Sequence, residues 1–264
     1  MAYSIFYSWQ SDSPNTCNRG FIRSAIDGAV KQMGLRVSVE DSPRIESGME
    51  GVAGTPEVAS IMFERIKRSA VFIGDMTLVG TIPGGTGGEP KRVPNPNVLL
   101  EMGYAAGVMG WGRIICVMNE AFGHREALPF DVRNRRFPIN YIRPPDSAQD
   151  SSTLANLTGC IKGAIETVEQ NVYQAAEDAL EALDLSCILL INQYGRTADF
   201  PAPNPNAFVL GAANGLDTPA FQGAISRLLD LRLIRLRVDG ATPARYAWSY
   251  LGKKMLTRFG IHHP

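Results

Sequence analysis

Short apolar runs alternate with longer amphipathic stretches over the first part of the chain. The short runs predict buried strands at 3–8, 35–39, 70–74, 113–118 and 138–142. In the longer stretches apolar residues recur every three or four positions, which predicts helices at 15–33, at 57–67 and from residue 97 onward. Strands that alternate with helices form a parallel sheet covered on both faces, so we expect an α/β fold with a flavodoxin-like parallel sheet.

The pattern changes after residue 150, where a long helical stretch at 152–183 is expected to connect two domains. The predicted ranges are 1–150 for a nucleotide-binding and catalytic domain, 151–178 for the connecting helix and 179–264 for a second domain. The second domain begins with a predicted helix at 180–191. An alternating strand, a turn signal at Asp239-Gly240, a returning strand and a closing helix come last, at 233–259. Helices followed by a two-stranded wing predict a winged-helix-like α+β domain.

Several arginines cluster around the predicted last helix before the wing and the wing itself: Arg227, Arg232, Arg235, Arg237 and Arg245. They permit two interpretations. In the first they contact a DNA backbone. In the second they are solvated side chains of an interaction or dimerisation module. Acidic residues of the same segment nearly balance the basic ones, which favours the second interpretation.

Composition narrows the class of protein. Lys and Arg total 26 and Asp and Glu total 26, so the formal net charge is zero, which gives no general preference for nucleic acid. We expect no signal peptide, no membrane-spanning segment and no membrane partner. The four cysteines lie far apart without a CxxC pair, which predicts reduced thiols, a cytoplasmic location and no metal site.

The segment 94–106 is a proline-stiffened loop that leads directly into an apolar helix. Pro94 and Pro96 favour extended geometry before them, and Asn97 is expected to be the N-cap of the helix. Glu101 then falls in the first turns, where the helix dipole favours the ionised form. A fixed carboxylate beside a loop suits the stabilisation of a sugar cation. The alternative is that Glu101 is an ordinary solvated residue.

The predicted third strand ends in Asp75, and ligands of open α/β sheets bind outside the carboxyl ends of strands. Asp75 and Glu101 are therefore expected to face one crevice. Ser8, Trp9 and Asp12 follow the first strand; Trp9 could stack on a base or nicotinamide ring, or could simply cover the sheet edge. The glycine-rich segment 84–88 lacks the lysine of a phosphate-binding loop and is interpreted as a flap.

Three segments together resemble bacterial TIR-like domains of the group associated with antiphage defence: 6–12, 75–77 and 95–105. Most of the resemblance rests on the pattern Asn-Val-x-x-Glu-x-Gly-Tyr-Ala that begins at Asn97. The same helix is similar to that of nucleoside 2-deoxyribosyltransferases, whose catalytic glutamate stands in a Glu-x-Gly-Tyr/Phe-Ala run. The resemblance covers residues 3–142.

The resemblance implies cleavage of the N-glycosidic bond of NAD, with release of nicotinamide and of ADP-ribose or a cyclic product. NAD is then a substrate, and no cofactor or metal is implied. Glu101 is the implied catalytic residue. The residues that we expect to bind the substrate are Ser8, Trp9, Asp12, Asp75, Asn97 and Tyr104. Members of the family assemble to become active, so the resemblance also implies self-association through the TIR-like domain in a triggered defence effector. The second domain is not covered by the resemblance, and we expect it to bind a nucleic acid or protein partner that controls this assembly.

Two other functions remain open. The first is a nucleoside deoxyribosyltransferase or hydrolase that uses Glu101 as a nucleophile; a transferase without acceptor base leaves a covalent sugar adduct on Glu101, whereas a hydrolase that works without a covalent intermediate leaves none. The second is a regulator without enzymatic activity, in which the first domain senses a nucleotide and the second binds DNA.

Overall fold

The structure is a computed structural model that describes residues 3–34, 37–41, 56–84, 88–134, 138–147, 151–201, 218–237 and 245–262. These residues form two compact units, Ala2–Val168 and Glu169–Pro264. The division falls inside one long helix, α5, Ser151–Glu181. The domain ranges given above stay predictions.

The first unit is built on a parallel sheet. The strands of this sheet are β1 Tyr3–Ser8, β2 Val37–Asp41, β3 Val71–Asp75, β6 Ile114–Asn119 and β7 Ile139–Tyr141. A separate hairpin consists of β4 Leu78–Ile82 and β5 Lys91–Pro94. The sheet order is β2-β1-β3-β6-β7, and every adjacent pair is parallel. The α/β class and the all-parallel sheet are thus confirmed, and the order is compatible with a flavodoxin-like fold.

Helices cover both faces of this sheet. They are α1 Arg19–Met33, α2 Pro56–Arg68, α3 Pro96–Met109 and the short α4 Phe130–Arg133. The hydroxyl of Tyr7 donates to the carbonyl of Arg19 in α1, whereas Phe6 belongs to the core cluster formed with α3. Because successive side chains of a strand point to opposite faces, α1 and α3 lie on opposite sides of the sheet.

Helix α3 packs closely on β3. Phe72 stacks on Phe6 with ring centroids 5.8 Å apart, and both join Val98 and Met102 of α3 in one buried cluster. A Cβ added at Gly74 would lie 3.0 Å from the Phe72 ring and 3.6 Å from a Val98 methyl carbon. The absence of a side chain at this position therefore leaves room for the Phe72 ring, whereas Val98 of α3 lies at an ordinary van der Waals distance.

An antiparallel hairpin, β4 and β5, stands between β3 and α3, where the sequence analysis expected only a loop. Its strands are short and only partly exposed, and they contain Gly, Pro, Lys and Arg, so no apolar alternation marks them. The predicted flap at 84–88 belongs to the connection of this hairpin, and its residues 85–87 lie outside the described residues.

Three predicted helix ends are wrong. Helix α1 begins at Arg19 and not at residue 15, because residues 14–18 form a turn in which the amide of Asn18 donates to the carbonyl of Pro14. The other two errors concern caps. The N-cap of α3 is Asn95 and not Asn97, because Pro96 occupies the first helical position. The predicted helix at 180–191 is in fact the end of α5 and the start of α6, Leu185–Tyr194. Asp184 caps α6 by accepting from the amide of Cys187 at 2.8 Å, and this cap separates the two helices.

The second unit is a mixed helix and sheet structure. After α6 come β8 Asp199–Pro201, α7 Thr218–Asp230, β9 Ile234–Arg237, β10 Arg245–Trp248 and α8 Tyr250–Arg258. The strands form an antiparallel sheet in the order β8-β10-β9. Phe200 and Trp248 are buried in its core, and the indole of Trp248 donates to the carbonyl of Tyr194 at 3.0 Å. The predicted turn at Asp239-Gly240 lies outside the described residues.

Two further observations bear on the expectations from composition. All four cysteines fall within the described residues and are free thiols, as expected. Among the helices of the described part of the chain, none combines the length and the apolar character needed to cross a bilayer.

Candidate functional site

The strand order reverses between β1 and β3, and this reversal defines a switch point at the carboxyl ends of the two strands. Sheets of this kind bind ligands at such a point. Ser8 ends β1 and Asp75 ends β3, and the loops that follow lead to α1 and, through the hairpin, to α3. Ser8 and Asp75, two of the residues expected at the site, thus lie at the position that the topology favours.

Asp75 is fully buried, and its carboxylate is surrounded by donors. It accepts from the side-chain amides of Gln10 at 3.2 Å and Asn18 at 3.0 Å, and from the backbone amide of Thr77 at 3.0 Å. Burial raises the pKa of Asp75, while the hydrogen bonds from Thr77, Asn18 and Gln10 act in the opposite direction. With no exposed surface and three donors already bound, Asp75 has the geometry of a residue that holds loops together.

The network around Asp75 continues to β6 and β7. The side-chain amide of Asn119 donates to the carbonyls of Cys17 and Arg143 and to Asn18, and its oxygen accepts from the backbone amide of Arg143. The hydroxyl of Tyr141 also donates to Cys17. These contacts join the carboxyl ends of three parallel strands to the start of α1. The sequence analysis missed this network, although a polar residue directly after a buried strand marks Asn119 as it marks Asp75.

Ser8 lies beside Gly74 of β3 and shares the sheet face of Phe6, which is the face that α3 covers. It is 0% exposed, and its hydroxyl has no hydrogen-bond partner among the described residues. The indole nitrogen of Trp9 is also buried without a partner in the described part of the chain. Buried polar groups normally have partners, so these two suit contact with a ligand.

Trp9 is partly exposed and carries the guanidinium of Arg19 on its ring, with the guanidinium carbon 3.4 Å from the ring centroid. This is a close cation–π contact. One face of the indole is thus covered, and a base or nicotinamide could stack only on the other face.

The start of α3 is tied to the loop after β1. The side-chain oxygen of Asn95 accepts from the backbone amides of Asn97 at 2.8 Å and Val98 at 3.3 Å. Its amide nitrogen donates to the carboxylate of Asp12 at 2.7 Å. Asp12 and the side chain of Asn97 are exposed. The structure therefore brings Asp12 and the first turn of α3 together through Asn95, a residue that the sequence analysis missed although Pro at the next position is a helix-start signal.

Glu101 is 6% exposed and stands on the buried face of α3 with Val98, Met102 and Ala105. Because the helix begins at Pro96, Glu101 is in its second turn and no acidic residue lies in its first turn. The helix dipole decays within the first turn, so its expected effect on Glu101 is small. The interpretation of Glu101 as a solvated surface residue is wrong, since the side chain is buried.

Tyr104 is one turn beyond Glu101 and packs against α2. Its ring stacks on Phe63 with centroids 4.1 Å apart, and the ammonium group of Lys67 lies 5.9 Å from the ring centroid. Tyr104 thus connects α3 to α2 through side-chain packing.

Among the described residues, no group of His, Cys, Asp or Glu side chains is arranged to hold a metal ion.

In the second unit, three of the clustered arginines are engaged within the protein. Asp199 of β8 pairs with Arg237 of β9 at 2.7 Å and with Arg245 of β10 at 2.6 Å. Arg227 donates to the carbonyl of Ala182 at 2.8 Å. These arginines stabilise the sheet and the turn between α5 and α6, which reduces the positive surface that a DNA backbone could contact.

The fold and this site define an α/β protein with a polar switch point and a buried glutamate on the helix beside it. Comparison of the chain with models of known protein families finds no match, and comparison with curated protein sequences finds none either.

Proposed function

We propose that this chain cleaves the N-glycosidic bond of NAD and that Glu101 is its catalytic residue. The observation that carries the proposal is the burial of a carboxylate on α3, the helix that covers the switch point and contacts both β1 and β3. A buried glutamate is rare without a structural or chemical role. The resemblance of residues 95–105 to TIR-like domains supports the same assignment.

The chemistry suits a single carboxylate. When nicotinamide leaves the cationic pyridinium of NAD it departs as a neutral base, so no general acid has to protonate it. The ribose left behind develops oxocarbenium character, and a carboxylate in a water-poor site stabilises that positive charge more strongly than one in water. Water then adds to the anomeric carbon and yields ADP-ribose, or an internal nucleophile adds and yields a cyclic product.

The other expected residues take different parts in this proposal. Ser8 and Trp9 contribute the partnerless hydroxyl and indole N–H groups to the substrate, and Asn97 contributes an exposed amide on the first turn of α3. Asp75 and Tyr104 support the structure of the site and do not contact the substrate, because Asp75 is buried among hydrogen-bond donors and Tyr104 packs on α2.

A nucleoside deoxyribosyltransferase is the second candidate, since a buried carboxylate can also act as a nucleophile. The two functions differ in the intermediate. A transferase without acceptor base accumulates a covalent sugar adduct on Glu101, which intact-mass measurement detects.

The second unit supports an accessory role. Its order of helix, strand, helix and two paired strands agrees with a winged-helix-like domain, and we propose that this domain binds a partner that triggers the enzyme. An enzyme that destroys NAD harms its own cell, so we expect activity to require a trigger or self-association, as in a defence effector.

Nicotinamide release from NAD tests the proposal. Purified protein at high concentration with a molecular crowder is compared with Glu101→Gln, and with Glu126→Gln as a control at an exposed glutamate. We expect release by the wild type and by the control, and a loss of about 10²-fold or more in Glu101→Gln. Full activity of Glu101→Gln would contradict the assignment of the catalytic residue.

A further inference from the structure

The hydrogen bond between Asn95 and Asp12 joins two loops from opposite sides of the switch point. Asp12 lies in the loop after β1, and Asn95 caps α3, the helix that carries Glu101. We propose that Asp12 and Asn95 are positioning residues that set the placement of α3, and with it Glu101, and that Asp12 is not a ligand of the substrate. This inference rests on the proposed function for the role of Glu101.

Both the oxygen and the nitrogen of the Asn95 side-chain amide form hydrogen bonds, and these define the orientation of the amide. Two backbone N–H groups point at its oxygen, at 2.8 and 3.3 Å, so the oxygen must face the helix and the nitrogen must face Asp12. Pro96 follows with a φ angle that already suits the first helical position. A single side chain therefore caps the helix and ties it to the neighbouring loop.

Asp12 lies in a turn that is stabilised by side-chain hydrogen bonds. The backbone amide of Ser13 donates to the side-chain oxygen of Gln10 at 2.9 Å, and the Gln10 nitrogen donates to the Ser13 hydroxyl at 3.0 Å. The same nitrogen donates to the buried carboxylate of Asp75 at 3.2 Å. The contact from Asn95 to Asp12 thus connects α3 to a turn that is anchored at the end of β3.

The position of α3 matters because Glu101 is six residues after its cap. Packing of Val98 and Met102 limits how far the helix moves away from the sheet, whereas the contact with Asp12 restrains its first turn. A displacement of about 1 Å at a catalytic group is enough to cost about 10²-fold in rate. Loss of the contact should therefore lower kcat more than it changes KM.

Exchanging the side chains of Asp12 and Asn95 distinguishes a positioning role of Asp12 from a role in binding the substrate. In Asn95→Asp the cap persists, since Asp is a good N-cap, but two carboxylates now face each other and the tie is lost. In the double variant Asp12→Asn with Asn95→Asp, an amide again faces a carboxylate with the polarity reversed. We expect Asn95→Asp to lower kcat about 10–100-fold with little change in KM, and the double variant to recover most of that loss.

Hydrogen exchange at the amides of residues 97–101 provides a readout that does not depend on NAD. We expect faster exchange in Asn95→Asp and recovery in the double variant, because the first turn of α3 opens locally when its tie is lost. Asp184→Ala, which removes the N-cap of α6 in the other unit, is the control and should leave exchange in α3 unchanged.

Two results would overturn the inference. The first is a double variant that shows no recovery in kcat or in exchange relative to Asn95→Asp. The second is Asp12→Ala with raised KM, unchanged kcat and unchanged exchange, which would make Asp12 a substrate ligand. The exchange measurements need no nicotinamide release, so they decide whether Asp12 and Asn95 position α3 even if the wild type releases none without its trigger.

Discussion

The environment of Asp75 differs from the open, ligand-facing one that its position at a strand end suggests. It is 0% exposed, and its hydrogen-bond partners come from the loop after β1, from the N-cap of α1 and from its own loop. The carboxylate thus serves as the acceptor for three buried donors, of which the Gln10 nitrogen also donates to Ser13 and the Asn18 nitrogen also donates to Thr77. A side chain with this many internal contacts maintains the shape of the switch point.

The raised pKa of Asp75 predicts a specific dependence of stability on pH. Between the unfolded pKa near 3.8 and the higher folded value, the native state binds more protons than the unfolded chain. The free energy of unfolding therefore falls as the pH rises through this window, and above it the cost of burying the charge is fully present. Asp75→Asn lacks this contribution, so we expect the wild type to lose stability relative to Asp75→Asn as the pH increases from 4.

Urea unfolding of both proteins across this pH range is the measurement. Asp131→Asn, at an exposed aspartate of α4, is the control and should follow the wild type. A difference between wild type and Asp75→Asn that is independent of pH would show that the burial of charge at residue 75 is not the cause.

At the scale of elements, α3 and its contact with β3 determine where Glu101 lies. The helix approaches the sheet over Gly74, where a Cβ would meet the Phe72 ring at 3.0 Å and Val98 at 3.6 Å. The strands β1 and β3 and the helix α3 could be predicted because their apolar periodicity is local. The cap at Asn95 and the hairpin β4 and β5 were missed, since short exposed strands carry no apolar alternation and a prolyl residue at the first helical position shifts the boundary.

Gly74→Ala tests the packing of the Phe72 ring in the core that β3 shares with α3, and Gly103→Ala is a matched control. We expect Gly74→Ala to lower the free energy of unfolding by about 1–3 kcal/mol, because the added Cβ would lie 3.0 Å from the Phe72 ring, which must shift. A Cβ at Gly103 meets nothing within 4 Å, so Gly103→Ala in an exposed helical position should raise stability by about 0.5–1 kcal/mol. Denaturant unfolding measures both. Equal effects of the same sign would contradict the packing at Gly74.

At the scale of the whole molecule, the two units carry different kinds of polar contact. The first unit concentrates buried amides, a carboxylate and backbone groups at one edge of a parallel sheet. The second uses ion pairs, in which Asp199 joins the three strands of its sheet through Arg237 and Arg245. The first arrangement suits a ligand site. In the second, Arg237 and Arg245 have a structural role, whereas the sequence alone left the role of the clustered arginines open.

The engagement of these arginines predicts weak binding of DNA. We expect the wild type to bind duplex DNA no more tightly than about 1 µM at physiological salt, as for non-specific contact. Asp199→Asn should increase the affinity, because it neutralises the anionic partner of Arg237 and Arg245. Fluorescence anisotropy with labelled duplexes measures both, and specific binding by the wild type at nanomolar concentrations would favour a DNA-binding regulator instead.

The sequence by itself determined the alternation of strands and helices, the parallel sheet and the place of Glu101 on an apolar helix, because each follows from periodicity within one short segment. Only the tertiary structure decided that Asp75 is buried among donors, that Asp12 is tied to Asn95 and that Asp199 pairs with two arginines. These contacts join residues far apart along the chain, 83 positions apart for Asp12 and Asn95. Their formation depends on how the folded backbone brings loops together, and no local pattern of residues encodes that.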